Sequence, residues 1–199
     1  MVNISDKVYQ FKVTLKRIKP PIWRRIQVPA TYTFWDLHVA IQDSMGWTDT
    51  HLHHFEIVNP ATGMKEEIGI PDDDAIENII LAGWKKNISH YFTSDNNKAE
   101  YIYDYGDDWE HEVKLEKILP AIDDIQYPIC IAGKRECPPE DCGGPWGYEE
   151  FLEAIMDPKH ERHEELLEWV GGDFDPEYFN KDEIDFDDPK HRLEFMLNE

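Results

Sequence analysis

The sequence lacks an apolar run long enough to cross a membrane. A spanning helix needs about 20 consecutive, mostly apolar residues, and no stretch of the 199-residue chain approaches that length. The N-terminal sequence MVNISDKVYQF also lacks the charged and then apolar layout of a signal peptide. These two absences predict a cytoplasmic protein that has no membrane partner.

Cysteine is scarce, and the three cysteines are an odd number. Two of them, Cys137 and Cys142, lie close together in a chain too long for a small disulfide-stapled domain. The count argues against a secreted disulfide framework, and it predicts either reduced thiols or thiols bound to a metal.

Positive charge is also in short supply, since 20 Lys and Arg face 42 Asp and Glu, a net charge of −22. Such a charge repels a phosphate backbone at long range and argues against nucleic acid as a partner. The basic stretch KRIKPPIWRR, residues 16–25, is an exception. Its cations around Trp23 could hold a single strand, an acidic partner, or the acidic half of the same chain. The overall charge favours the last two.

The composition is that of a folded chain, with 41% hydrophobic and 13% aromatic residues. Apolar residues alternate in residues 8–15, 101–105 and 109–116, and Gly106 lies between the last two runs, which predicts a β-hairpin. A capping box at Thr33 and Asp36 followed by helical spacing up to Met45 predicts an amphipathic helix. A further helix is predicted from Ala75 to about Gly83.

Strands come mostly first and helices mostly last, without βαβ alternation. We therefore predict an α+β fold: a mostly antiparallel sheet of about five strands, with one central amphipathic helix and C-terminal helices packed on it. Residues 1–180 would form a single domain, and residues 181–199 an acidic C-terminal tail.

The first candidate site is the motif YDYGDDWEH, residues 103–111. Its carboxylates could hold a divalent cation, and Glu110 beside His111 could serve proton transfer. Asp and Gly are also the residues that a tight turn requires, so the turn alone is the favoured explanation.

The second candidate site is the motif CPPEDCGGPWGY, residues 137–148. Zinc is the one cofactor considered, and its predicted ligands are Cys137, Cys142, His51 and His111. Other candidate ligands are His53 and Cys130. The favoured interpretation, however, is a rigid loop whose buried thiols behave as small apolar groups. This interpretation requires no cofactor.

The chain has no nucleophile elbow, phosphate loop, dinucleotide fingerprint or H-E-x-x-H helix. The leading hypothesis is a non-catalytic binding or adaptor module with a protein partner, because exposed aromatic side chains beside polar groups often anchor partners. The predicted surface residues are Tyr105, Trp109, Trp146, Tyr148, Asp104 and Asp108. The alternative is a hydrolytic enzyme that depends on zinc or another divalent ion, with nucleic acid among its candidate substrates.

Several uncommon strings also resemble a known family. They are KPPIWRRIQVP, FWDLHVAIQDSMGWTDTHLHHFEI, YDYGDDWEHEVKLEKI, YPICIAGKRECPPEDCGGPWGYEEFLEAIMDP and EWVGGDFDPEYF. In this order, from about Tyr9 to Phe179, they resemble the plasmid pRiA4b ORF-3-like family. The resemblance implies a compact α+β domain and an association with mobile elements, but no activity and no catalytic residue.

Overall fold

The computed structural model describes residues 4–71 and 79–198, which form eight strands and four α-helices. The strands are β1 (Lys7–Leu15), β2 (Trp23–Pro29), β3 (His53–Val58), β4 (Lys65–Gly69), β5 (Ile80–Ala82), β6 (Lys98–Tyr103), β7 (Trp109–Pro120) and β8 (Ile129–Lys134). The helices are α1 (Phe34–Met45), α2 (Gly144–Met156), α3 (His163–Trp169) and α4 (Pro189–Leu197). None of the helices in these two ranges is long and apolar enough to span a bilayer.

All eight strands form one sheet in the order β5-β4-β3-β6-β7-β1-β2-β8. Neighbouring strands are antiparallel, except that β4 and β5 are parallel. The architecture is α+β, but the prediction of about five strands in a mostly antiparallel sheet was wrong, because the sheet is mixed and has eight strands.

The five predicted strands, at residues 8–15, 22–28, 51–58, 101–105 and 109–116, correspond to β1, β2, β3, β6 and β7. The sheet adds β4, β5 and β8. Strand β4 has the sequence KEEIG, which has too few apolar residues to alternate, and β5 has only three residues. Strand β8 lies in the Pro- and Gly-rich stretch of residues 127–147, where the sequence predicts no strand. The helix predicted from Ala75 lies partly outside the described residues, and its described end is β5.

Helix α1 begins and ends as its sequence predicts. The Asp36 amide donates to Thr33 Oγ1 (3.2 Å), and the Thr33 amide donates to Asp36 Oδ2 (2.8 Å). Gly46, in the left-handed conformation, ends the helix. Phe34 packs edge-to-face on Phe55 with ring centroids 5.2 Å apart, and such pairs add about 0.5 to 1.5 kcal/mol beyond the area they bury. Helix α1 therefore covers one face of the sheet and forms the core with it.

The C-terminal residues also contact α1. Trp35 Nε1 donates to the carbonyl oxygen of Pro189 (2.8 Å), and Arg192 Nη2 lies 2.7 Å from Asp43 Oδ1. Helix α4 therefore lies within residues 181–199, beside α1. The division of the chain at residue 180 stays a prediction.

The opposite side of the sheet, which we call the open face, carries mostly charged side chains. Several of them form ion pairs between strands, including Arg25 with Glu116 (2.7 Å) and Lys98 with Glu112 (2.6 Å). Paired charges of this kind on an exposed surface contribute little, typically about 0 to 1 kcal/mol each. The open face is therefore a solvated surface that ion pairs hold together only weakly.

The basic stretch is used largely within the molecule. Lys16 pairs with Glu100 (2.9 Å) and Arg17 with Asp108 (2.9 Å). Arg24 is buried, and its guanidinium donates to the carbonyl oxygen of Ser44 (2.8 Å) and contacts the ring of Phe179. The basic stretch is thus used within the molecule, but its ion pairs in the described part of the chain, such as those to Glu100 and Asp108, are not to the strongly acidic C-terminal residues.

Candidate functional site

The two sequence motifs meet in space at one end of the sheet. The Gly143 amide donates to Asp107 Oδ2 (3.1 Å). At the neighbouring Gly144, a Cβ would lie only 2.3 Å from the carbonyl oxygen of Asp107. The hairpin turn 104–108 and the loop 137–144, which we call the Cys loop, therefore form one surface.

The segment after α1 holds the Cys loop from the other side. Trp47 Nε1 donates to the carbonyl oxygen of Pro138 (2.9 Å). The Glu140 carboxylate accepts from the Thr48 amide (3.0 Å) and from the Tyr103 hydroxyl. The backbone of residues 48–51 is thus fixed against both motifs.

These contacts bring together His51, Asp104 and Asp141, one residue from each of the three segments. His51 Nε2 lies 3.1 Å from Asp141 Oδ1 and 3.6 Å from Asp104 Oδ2. One ligand atom from each of the three residues lies within 4.8 Å of the other two. We call these residues the His-Asp-Asp cluster.

The turn geometry explains why Asp104 points into the cluster. Asp104 adopts the left-handed conformation (φ 57°), which Asp tolerates better than most residues. Its Oδ1 accepts from the amides of Gly106 (2.8 Å) and Asp107 (3.3 Å), as in an Asx turn. Oδ1 is therefore used by the turn, and Oδ2 faces His51. The Asp104 side chain is only 9% exposed.

The His51 imidazole is close to both carboxylates without forming a regular hydrogen bond. Nε2 is buried and has no hydrogen-bond partner in the described part of the chain. At 3.1 Å the Asp141 oxygen is near enough for such a bond, but it lies outside the direction that one requires. The cluster thus offers one nitrogen and two carboxylate oxygens to a cation, and Asp141, whose side chain is 70% exposed, leaves it open to solvent.

The predicted zinc ligands are not brought together. Of His51, His111, Cys137 and Cys142, only His51 belongs to a group of three potential ligands in the described residues. Burial raises the pKa of Cys137 to about 11 and that of Cys142 to about 12. The thiols are therefore protonated at neutral pH, and Cys137 packs against Met45 and Arg24. All three cysteines are free.

His111 lies in the core below the hairpin. It is fully buried, and Trp47 packs on its ring with centroids 5.4 Å apart. Burial lowers the pKa of His111 to about 4, whereas an unfolded histidine titrates near 6.5. His111 is consequently neutral in the folded protein.

This difference in pKa makes stability depend on pH. Between about pH 6.5 and pH 4 the unfolded chain binds a proton at residue 111 that the folded chain does not bind, so stability falls as the pH falls. Lowering the pH from about 7 to about 4.5 should reduce the free energy of unfolding of the wild type by about 2 to 3 kcal/mol more than that of His111→Phe. This difference follows from about 1.36 kcal/mol per pKa unit. Urea unfolding at both pH values measures the loss, and equal losses would contradict the assignment.

The predicted binding-surface residues divide into two groups. Tyr105 and Trp146 are exposed, at 47% and 78%. Trp109 and Tyr148 are each 1% exposed and belong to the core, where Trp109 packs against Trp47. Asp104 belongs to the His-Asp-Asp cluster, and Asp108 pairs with Arg17.

A second group, His38, Asp49 and His53, lies deeper, between α1 and β3. Gln42 Nε2 donates to the Tyr101 hydroxyl (2.9 Å), which can then donate to His38 Nδ1 (2.8 Å). His38 Nε2–H is left to donate to Asp49 Oδ1 (2.6 Å). Burial lowers the pKa of both imidazoles well below the usual value.

The geometry of this second group does not suit an ion. The two rings stack with centroids 3.4 Å apart and planes 5° from parallel. Because an imidazole binds a metal in the plane of its ring, two parallel stacked rings do not direct their lone pairs at one point. This group was missed because the sequence indicated His53 only as a further zinc ligand beside His51 and the cysteines, and it singled out neither His38 nor Asp49. In the structure His51 and His53 belong to different groups.

A cleft of about 390 Å³ opens beside the His-Asp-Asp cluster. Asp141 belongs to the cluster and also lines the cleft, together with Cys142, Phe151, Arg162 and Trp169. Ligand pockets typically measure about 300 to 1,000 Å³. The cleft is therefore large enough to hold a small molecule, or part of a larger one, next to the cluster.

Fold and site together define an α+β protein built on one eight-stranded sheet, with histidine and carboxylate side chains gathered at one end of it. The chain belongs to the plasmid pRiA4b ORF-3-like family, whose sequence profile matches residues 7–183. The family resemblance of the sequence is thereby confirmed.

Two relatives are similar over most of their length. The chain is 40% identical over 169 residues, 84% of each protein, to the uncharacterized protein y4hQ of Sinorhizobium fredii. It is 53% identical to MM3350 of Methanosarcina mazei Go1, a protein of unknown function whose crystal structure matches with a TM-score of 0.85. That match covers 90% of the present chain and 98% of the other. These similarities establish family and fold, and they assign no activity.

Proposed function

We propose that the protein binds a divalent cation at the His-Asp-Asp cluster and uses it in a hydrolytic reaction. The observation that carries this proposal is the convergence of one imidazole nitrogen and two carboxylate oxygens from three separate segments. This ligand set replaces the thiolate set that the sequence suggested.

The distances in the cluster are those of ligands around one ion. Ligand atoms at about 2.0 to 2.2 Å from a metal lie about 2.8 to 3.6 Å from their neighbours in tetrahedral or octahedral coordination. The observed separations from His51 Nε2 are 3.1 Å to Asp141 and 3.6 Å to Asp104. A cation would also supply the charge that a buried carboxylate such as Asp104 needs.

The ligand types indicate the ion and its chemistry. One imidazole with two carboxylates suits Zn²⁺ or Mn²⁺ better than Ca²⁺, which takes oxygen ligands alone. Three protein ligands leave coordination positions open, and an ion in such a site lowers the pKa of bound water and makes it a nucleophile. The adjoining cleft would hold the substrate.

Calorimetric titration with Mn²⁺ tests the proposal. We expect Asp104→Asn to weaken binding by about 100-fold or more, because it removes a charged ligand. Asn keeps Oδ1 for the turn and tolerates the left-handed conformation, so the fold should persist. In the wild type, an ion at 100 times its Kd should raise the free energy of unfolding by about 2.7 kcal/mol.

Asp108→Asn is the matched control, since it makes the same chemical change in the same hairpin at an exposed position. It should bind Mn²⁺ like the wild type. Hydrolysis of chromogenic esters and phosphoesters should require the ion and should be lost in Asp104→Asn alone. Equal Mn²⁺ affinity in all three proteins would contradict the site.

A binding module is the second candidate function, and one observation favours it. Tyr105 and Trp146 are large exposed aromatic residues at the surface where the motifs meet, and such residues are typical anchors for a protein partner. Trp109 and Tyr148, the other predicted anchors, lie in the core, so two of the four predicted aromatic anchors are exposed. The titration separates the two functions, because a binding module needs no ion.

A further inference from the structure

Charged residues on the open face separate by sign into two rows that cross the strands. The basic row contains Lys98 on β6, Lys114 on β7, Lys12 on β1 and Arg25 on β2, each directly opposite the next. The acidic row contains Glu67 on β4, Glu56 on β3, Glu100 on β6 and Glu112 on β7. On β6 and β7 the two rows are two residues apart, so they run side by side.

This arrangement is unfavourable for the sheet itself. Like charges directly opposite each other destabilise neighbouring strands, whereas opposite charges contribute about 0.2 to 1 kcal/mol per pair. Alternating signs along each row would remove the repulsion without changing the composition of the sheet. Ion pairs to carboxylates offset the repulsion at the two ends of the basic row, but not at its centre.

The two central cations of the basic row have no carboxylate of their own. Arg25 and Lys98, at its ends, pair with Glu116 and Glu112. Within the part of the chain that the structure describes, no carboxylate oxygen lies within 4.0 Å of the ammonium nitrogen of Lys12 or Lys114. The Lys12 ammonium instead lies 5.0 Å from the ring centroid of Trp23.

The surface beside Lys114 is concave, and of the basic row Lys114 and Arg25 line the concave part. A depression of about 770 Å³ is lined by Lys114, Lys117, Arg25, Gln10 and Asn97, among others. Lysine and arginine side chains and two side-chain amides thus surround one open space, and Glu116 is the acidic residue in its lining. The space is suited to an anion.

We propose that the basic row and this depression bind a short linear oligophosphate, a ligand with two or three linked phosphate groups. Neighbouring strands lie about 4.8 Å apart, and Lys12 and Lys114 are directly opposite each other on adjacent strands, so each can contact one end of so short a ligand. Lysine binds phosphate as a point charge.

The charge around the row limits the size of the ligand. The net charge of −22 and the acidic row beside the basic one oppose a long polyanion. A compact ligand that lies along the basic row extends neither into the acidic row nor over the rest of the acidic surface. This site lies on the open face and is independent of the proposed cation site.

Calorimetric titration with inorganic triphosphate, in chelator and at low ionic strength, tests the proposal without any contribution from a metal. We expect the double variant Lys12→Gln/Lys114→Gln to bind at least tenfold more weakly than the wild type. Its melting temperature should be equal or higher, because the substitutions relieve like-charge repulsion. This second measurement excludes misfolding as the cause of the loss.

The control is Lys159→Gln/Lys181→Gln, which makes the same charge change at two exposed positions elsewhere and should bind like the wild type. Equal affinity in all three proteins, or no binding by the wild type, would overturn the proposal. An octaglutamate peptide that binds as tightly as triphosphate would overturn the assignment to phosphate. An oligothymidylate that binds more tightly would overturn the assignment to a compact ligand.

Discussion

Replacing Trp109 with alanine should lower the free energy of unfolding by about 3 to 5 kcal/mol, the usual cost of removing a large aromatic side chain from a core. Trp109 is 1% exposed and packs against Trp47 with ring centroids 5.9 Å apart. The indole therefore fills space directly below the hairpin and the Cys loop. Urea denaturation at neutral pH measures the loss.

Trp146→Ala is the control for this experiment. It removes the same side chain from the second motif, but Trp146 is 78% exposed. Surface substitutions usually change stability by less than about 0.5 kcal/mol. If Trp109→Ala were as stable as Trp146→Ala, the packing of the hairpin on Trp47 would be refuted.

Gly144→Ala should separate the Cys loop from the hairpin. Gly144 has φ 68°, and a Cβ there would lie 2.3 Å from the carbonyl oxygen of Asp107. The left-handed conformation costs a residue with a Cβ about 1 to 2 kcal/mol, and the contact with a backbone atom forces the loop to move. We expect a loss of more than about 3 kcal/mol in stability and about tenfold weaker Mn²⁺ binding, because Asp141 moves with the loop.

Gly171→Ala is the control, because it separates the cost of the left-handed conformation from the cost of the contact with Asp107. Gly171 has φ 87°, and no atom lies within 4 Å of the position of its Cβ. The substitution should therefore cost only the conformational penalty of about 1 to 2 kcal/mol and leave Mn²⁺ binding unchanged. If Gly144→Ala and Gly171→Ala had the same stability and the same Mn²⁺ affinity, the close approach of the Cys loop to Asp107 would be unimportant.

Local sequence signals predicted the parts of the fold that depend on neighbouring residues. Helix α1 is an example, because Thr33, Asp36 and Gly46 specify its two ends. The β6–β7 hairpin is another, since alternating residues flank a turn of Asp and Gly. Strand β8 was missed because its ICIAGK sequence becomes a strand only by pairing with β2, more than 100 residues earlier in the chain.

The sequence analysis singled out two of the three residues of the His-Asp-Asp cluster, but it did not predict that they lie together. His51 was expected to bind a metal, and Asp104 to belong to a binding surface, but Asp141 was not singled out. The zinc-like spacing of Cys137 and Cys142 predicted a thiolate site instead. Burial disfavours their ionised forms, and Asp141, one of the two acidic residues between them, faces His51 instead. The one available sequence signal was the carboxylate pair Glu140-Asp141 inside the Cys loop.

The position of β1 in the sheet affects how the protein folds during synthesis. Strand β1 lies between β2 and β7 in the sheet. Because Phe11 pairs with Leu115, the strand on one side of β1 is synthesised about 100 residues after it. At about 5 to 20 residues per second, the ribosome needs roughly 5 to 20 s to deliver that strand. During that interval the apolar strand β1 is paired with β2 but lacks its other neighbour, β7. The nascent chain should therefore be a good substrate for chaperones that shield exposed strand edges, until β7 leaves the ribosomal tunnel.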